Sequence, residues 1–189
     1  GKRVMSETVH PVPAEFAARA RVGRDDYARL CAEAREDPDA FWRRESGRLD
    51  WMRAPTIMGN ASFDEADFGI RWFEDGVLNL SVNCLDRHLA TRGDQTAIVF
   101  EGDTPGEGRT LTYRELHAEV CRFANVLKQQ GAAKGDRITL YMPMIPEAAI
   151  AMLACARIGA IHSVVFGGFS PESLAGRIQD CDSSIVITA

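Results

Sequence analysis

Beyond residue 110 the chain alternates short β-branched runs with helical segments, and this alternation restricts the fold more than any other feature. Arg137–Tyr141, Ile161–Val165 and Ser183–Ala189 have the length and composition of strands. Between the first two lies Glu147–Ile158, apolar on nearly every side and therefore expected to be buried, with Gly159 at its end. Between the second and third, Ser170 can cap a helix that opens on Pro171 and turns Leu174 and Ile178 inward. Crossovers of roughly 20 residues suit parallel pairing through right-handed connections, whereas antiparallel neighbours need only a tight turn. The chain is thus expected to be an α/β protein whose later part begins a parallel βαβαβ layered domain. Ser183–Ala189 reads as a strand covered on both faces. As a last strand it would present an unpaired edge and apolar surface, which complete proteins protect. The expectation is a truncated domain, with the remainder of the same chain packing on this strand.

Upstream, Thr112-Tyr-Arg-Glu115 fits a capping box, and Leu116, Val120, Phe123, Ala124 and Leu127 share the face of the helix that follows, which Gly131 ends. Gln95–Glu101 and Arg109–Leu111 flank a glycine-rich loop and read as a hairpin. Asn79 or Ser81 can cap a helix running through Leu85 and Leu89 to Ala90. Within it, Asp86, Arg87 and His88 form a charged triplet that reads as a solvated face or a structural ion pair. Before Glu74-Asp75-Gly76, which reads as a turn, periodicity is lost from Trp51 to Asp67. Trp51, Phe63, Phe68, Trp72 and Phe73 recur in this stretch and are expected to be buried. Asp25–Glu36 reads as a helix with Tyr27, Leu30, Cys31 and Ala34 on one face. Pro38 opens a second helix, which turns Phe41 and Trp42 inward with Leu49 as a further candidate. The organisation expected is a flexible arm over residues 1–23 with one short helix from Pro13 to Ala20, a helical and irregular extension over 24–84, and the start of the layered domain over 85–189. Met5 reads as the native start, the alternative being that the start is lost.

A net charge of −5 argues against a nucleic-acid surface. No apolar run approaches membrane-spanning length, and no signal peptide is visible. The five cysteines form no Cys-x-x-Cys pair and show no zinc-ligand spacing with histidine, so they read as reduced thiols of a cytoplasmic protein, with no metal site. There is no Walker-type phosphate loop, no G-x-G-x-x-G, no G-x-S-x-G and no H-E-x-x-H. The four histidines, His10, His88, His117 and His162, have no obvious nucleophile beside them, and no catalytic residue is assigned.

One segment has a physical reason to bind a ligand. Gly167-Gly168 follows a parallel strand and precedes a helix start, where open α/β sheets take ligands. Two residues without Cβ let a ligand approach the backbone, and the helix beginning at Ser170-Pro171 offers N–H groups and a positive dipole end to an anion. The plain alternative is a tight turn.

Five segments together resemble the AMP-forming acetyl-CoA synthetases. They are Trp72-Phe-Glu-Asp-Gly-Val-Leu-Asn79, Asn83-Cys-Leu-Asp-Arg-His-Leu89, Leu111-Thr-Tyr-Arg-Glu-Leu116, Gly135-Asp-Arg-Ile-Thr-Leu-Tyr-Met-Pro-Met144 and Ala156-Arg-Ile-Gly-Ala-Ile-His-Ser-Val-Val-Phe-Gly-Gly-Phe-Ser170. The tyrosine-centred helix start is shared across adenylate-forming enzymes. The aromatic extension and the Val-Phe-Gly-Gly-Phe-Ser run are more specific to short-chain acyl-CoA synthetases. The resemblance runs from residue 25 to 189 and implies the N-terminal portion of an acetate–CoA ligase. In that family acetate and ATP give acetyl-adenylate and pyrophosphate with the help of Mg²⁺, and the CoA thiol then displaces AMP. The phosphate loop, acyl pocket, ribose-binding acids and mobile-domain lysine that the family uses have no matching position in this sequence. The family's Phe-Gly-Gly segment lines the pocket for the nucleotide end of CoA, which implies CoA-binding roles for Phe166, Gly167 and Gly168. An arginine that completes that pocket has no counterpart here.

On this resemblance acetate, ATP and CoA, with Mg²⁺, belong to the whole enzyme. The 189-residue piece is expected to be inactive and to hold none of them. The alternatives are a propionyl-CoA synthetase or related short-chain acyl-CoA ligase, or a non-catalytic scaffold module that borrowed the fold.

Overall fold

The computed structural model describes residues 10–189. Met5 and the first part of the expected arm lie outside the described residues. The first helix, α1, covers Ala14–Arg19. The next two, α2 (Arg24–Glu36) and α3 (Pro38–Ser46), meet at Asp37, whose carboxylate accepts the Ala40 N–H at 2.9 Å while Pro38 takes the first turn. The expected inward face of α2 holds for Leu30, Cys31 and Ala34, which are half-buried, but Tyr27 is exposed. Phe41 and Trp42 of α3 are half-buried, whereas Leu49 lies past the helix end and faces water.

The irregular stretch contains a hairpin that periodicity does not reveal. Strands β1 (Gly59–Ser62) and β2 (Gly69–Trp72) pair antiparallel. Four-residue strands containing glycine carry too little alternation to be read as such. Nor are the aromatics uniformly buried. Trp51 and Phe73 are half-buried, but Phe63 is 78% exposed, Phe68 70% and Trp72 52%. They contact one another as edge-on pairs, Phe63 with Phe68 and Trp72 with Trp42, on the surface of a layer too thin to enclose them.

The helix expected from residue 79 to 90 is broken into three pieces. Asn79 caps α4 (Leu80–Cys84), Asp86–His88 forms a 3₁₀ turn, and α5 runs over Leu89–Arg92. Leu85, at φ −123° and buried, sits at the break. Next come β3 (Thr96–Phe100) and β4 (Arg109–Thr112), which form the expected hairpin. The capping box is present: Thr112 accepts the Glu115 N–H, and Glu115 accepts the Thr112 N–H at 2.8 Å. It opens α6, Tyr113–Gln129.

Three strands and two helices follow as expected: β5 (Arg137–Met142), α7 (Pro146–Ile158), β6 (Ile161–Phe166), α8 (Pro171–Cys181) and β7 (Ile185–Thr188). Both flanking strands pair parallel to β5, in the order β6-β5-β7. Gly159 ends α7 at φ +77°, a left-handed value that glycine takes without strain.

One hydrophobic core joins these elements. Ile138 and Leu140 of β5 meet Leu116, Val120, Ala124 and Leu127 of α6, and Ile150, Ala151, Ala154 and Cys155 of α7. Glu147 is the one exposed residue of α7, which matches its apolar circumference. Only the central strand has a continuous buried run, Ile138–Leu140. In β7, Ile185 and Ile187 are half-buried and alternate with exposed Val186 and Thr188. In β6, Ile161, Val164 and Phe166 are exposed. Burial on both faces, expected for the last strand, therefore belongs to β5, because a sheet of three strands has two edges.

Candidate functional site

The glycine turn stands at the carboxyl end of β6, beside the carboxyl ends of β5 and β7. A cleft of about 330 Å³ opens there, bounded by Tyr141, Met144, the Phe166–Gly168 turn and Thr188. The structure brings the three predicted residues together in this one cleft, and all three are exposed.

The turn is fixed from below by a residue that sequence reading did not single out. The Tyr141 hydroxyl lies 2.9 Å from the Gly167 carbonyl oxygen and 3.1 Å from that of Phe169, so its one proton can be donated to either. Tyr141 is in register with Val165, which is buried, so the phenol rises from the packed part of the sheet to the turn. Its signal in the sequence is positional: a tyrosine at the end of the central strand has a polar tip that needs a partner.

The two glycines serve different ends. A Cβ on Gly168 would lie 2.8 Å from the Phe166 ring, so any side chain there would displace that ring. A Cβ on Gly167 would sit 3.4 Å from the Met142 carbonyl oxygen, an ordinary van der Waals contact with the neighbouring strand. The Phe166 ring is 61% exposed and meets Phe169 edge-on at 6.0 Å. On its other side Phe169 carries the Arg177 guanidinium of α8, 5.0 Å above the ring.

The start of α8 is already satisfied by the chain itself. Pro171 has no N–H, Ser170 Oγ accepts the Ser173 N–H, and the Ser170 carbonyl takes the Leu174 N–H. The Glu172 carboxyl is held below its usual range, first by its own backbone N–H and then by the Ser170 hydroxyl. An anion at this helix end would have to compete with Glu172, so the ligand-accessible part of the site is the glycine backbone with its aromatic neighbours.

The charged triplet resolves differently. Asp86 receives two hydrogen bonds from Arg157, both 2.8 Å, and lies 3.2 Å from His117 Nε2, so it ties the 3₁₀ turn to α7 and α6. The Arg157 guanidinium holds the Asp86 carboxyl below the usual carboxylate range. Nearby, Asn79 accepts the Val82 N–H at 3.1 Å and donates to the Arg157 carbonyl at 3.0 Å, capping α4 and α7 with one side chain. Asn83, buried, accepts the Asp50 N–H at 2.8 Å and donates to the Asp50 carbonyl at 3.0 Å. These are structural joints, made by residues of the Trp72–Asn79 and Asn83–Leu89 segments.

Among the described residues no group of three or more His, Cys, Asp or Glu side chains could hold a metal ion, and no helix is long and apolar enough to cross a membrane.

The chain is similar to known proteins over almost all of its length. Residues 27–84 match the family model described as acetyl-coenzyme A synthetase N-terminus, and residues 85–189 match that described as AMP-binding enzyme. Proteins named acetyl-coenzyme A synthetase are 61% identical over 98% of the chain in Novosphingobium aromaticivorans and 63% over 98% in Parvibaculum lavamentivorans. One from Aeromonas hydrophila is 60% identical over 98%. The chain spans 29% of the length of each of these relatives. With more than half of its residues inside the match to that second family model, the chain belongs to the AMP-binding enzymes.

Proposed function

We propose that this chain is the N-terminal portion of an acetate–CoA ligase. The whole enzyme joins acetate to ATP as acetyl-adenylate with release of pyrophosphate, then transfers the acetyl group to the thiol of CoA with release of AMP. The observation that carries this reading is identity of about 60% to proteins named acetyl-coenzyme A synthetase, sustained across the chain. In this reading residues 24–84 are an extension and 85–189 the start of the adenylation domain, which the rest of the enzyme's chain continues from β7.

The chain's own contribution is a wall of the CoA pocket. Phe166 offers an exposed ring face to the adenine end of CoA, and Gly167 and Gly168 let the ligand meet the backbone. Tyr141 holds the turn in place through its carbonyls. Acetate, ATP and CoA are substrates of the whole enzyme, and no residue described here acts on a reacting atom. The Mg²⁺ implied by this activity finds no fitting donor set among the described residues, so no step is assigned through it.

In the full-length enzyme, Gly168→Trp is expected to displace the Phe166 ring and raise KM for CoA much more than KM for acetate. Unchanged CoA kinetics in a folded variant would remove the turn from the site. Acetate-dependent exchange of pyrophosphate into ATP tests the activity itself, and exchange driven by propionate but not acetate would overturn the choice of acid.

A further inference from the structure

We propose that Cys121 is a covalent modification site for small anionic disulfides. It lines a cleft of about 550 Å³ at the amino ends of the strands, away from the glycine turn. The cleft lies between the carboxyl ends of α6 and α7 and the loop leading into β5, and Asn125, Lys128, Lys134 and Arg157 also line it.

One helical turn before Cys121, His117 places its Nε2 3.6 Å from the sulfur. This corrects the view that no nucleophile stands beside a histidine. The Arg157 guanidinium is 3.3 Å from the same Nε2, and its two bonds to Asp86 hold it there while offsetting the Asp86 charge. Lys128 and Lys134 make no ion pair among the described residues. Of the five cysteines only Cys121 makes a hydrogen-bond contact with an imidazole among the described residues. Cys155 is buried, and burial pushes its thiol up to about 11.

The attacking species in disulfide exchange is the thiolate. Free lysines on the rim raise the local concentration of an anionic reagent. In the reaction the Cys121 thiol loses its proton to water, and the sulfur attacks one sulfur of R–S–S–R. The S–S bond of the reagent breaks, Cys121–S–S–R forms, and R–S⁻ leaves with the electron pair. Cys121 is thereby oxidised, and the departing half of the disulfide is reduced.

The test treats the full-length protein with limiting dithiobis(nitrobenzoate), a dianionic disulfide, and in parallel with uncharged dithiodipyridine. Peptide mass spectrometry locates the first adduct. The expected result is a first adduct of the anionic reagent on Cys121 and loss of the fast phase in Cys121→Ser. The Lys128→Gln, Lys134→Gln variant should slow the anionic reagent about ten-fold while changing the neutral one by less than about two-fold. A first adduct on exposed Cys84 or any other cysteine would overturn the proposal, as would a lysine variant that left the anionic rate unchanged or slowed both reagents alike. The adduct map of the unaltered protein decides without any variant.

Discussion

Residues 24–84 and residues 85–189 are held in shape by different means. Before residue 85, Met58 is the only large hydrophobic side chain buried among the described residues. Order there comes from polar side chains that grip backbone. Asp75 accepts the Thr56 and Ile57 N–H groups and the Thr56 hydroxyl, and Asn83 binds both backbone groups of Asp50. From Leu85 onward a single apolar cluster links β5 to α6 and α7. Burial is non-directional and sums over area, whereas a strut depends on one geometry. The first region should therefore fail one strut at a time, and the second cooperatively.

The largest expected effect lies in the core. Leu140→Ala removes a 1% exposed side chain of the central strand and should cost about 2–5 kcal/mol. Chemical denaturation followed by circular dichroism measures it. A loss below about 1 kcal/mol would mean that the cluster collapses freely around the cavity. Next comes Asn83→Ala, which removes the buried amide that holds the N–H and carbonyl of Asp50 and should cost about 1–2 kcal/mol. The loss should appear as faster hydrogen exchange between residues 48 and 52 with little change in β5 amides. Equal acceleration in β5 would show that the two regions unfold as one unit.

The smallest effect is a pH dependence. The Thr56 hydroxyl, followed by the Ile57 N–H, lowers the Asp75 carboxyl from 3.8 to about 2. With the folded value below the unfolded one, ionised Asp75 contributes stability above pH 3.8, and that contribution is lost as pH falls toward about 2. The Thr56 and Ile57 amides should exchange faster in Asp75→Asn than in the unaltered protein at neutral pH, and the two should converge in acid. A gap that stays constant with pH would assign the effect to shape rather than charge.

This contrast also explains what the sequence disclosed. Wherever one face is buried, the apolar spacing reports it, as in Leu116, Val120, Ala124 and Leu127 of α6 or the all-round apolar α7. Caps were equally legible, because Thr112 with Glu115 and Ser170 with Pro171 act on residues three positions away or fewer. The hairpin of β1 and β2 left no such trace, and the aromatics near it mark surface pairs rather than a core. The break at Leu85 adjoins the tie between Asp86 and Arg157, 71 positions apart, which no local pattern encodes. At the candidate site the glycine pair was visible from its place between strand and helix. Tyr141 and Arg177 were not, since their roles arise only when β5 and α8 come alongside the turn.

Asn79 carries a consequence for building chimeras. Its amide oxygen serves α4 while its amide nitrogen serves α7, 77 and 78 positions away. An aspartate there could keep the first role but would set a negative charge against the carbonyl end of α7. A segment transplanted with α4 but without its own α7 would thus bring half of a fastener, and the natural seam for exchange between relatives lies upstream of residue 79.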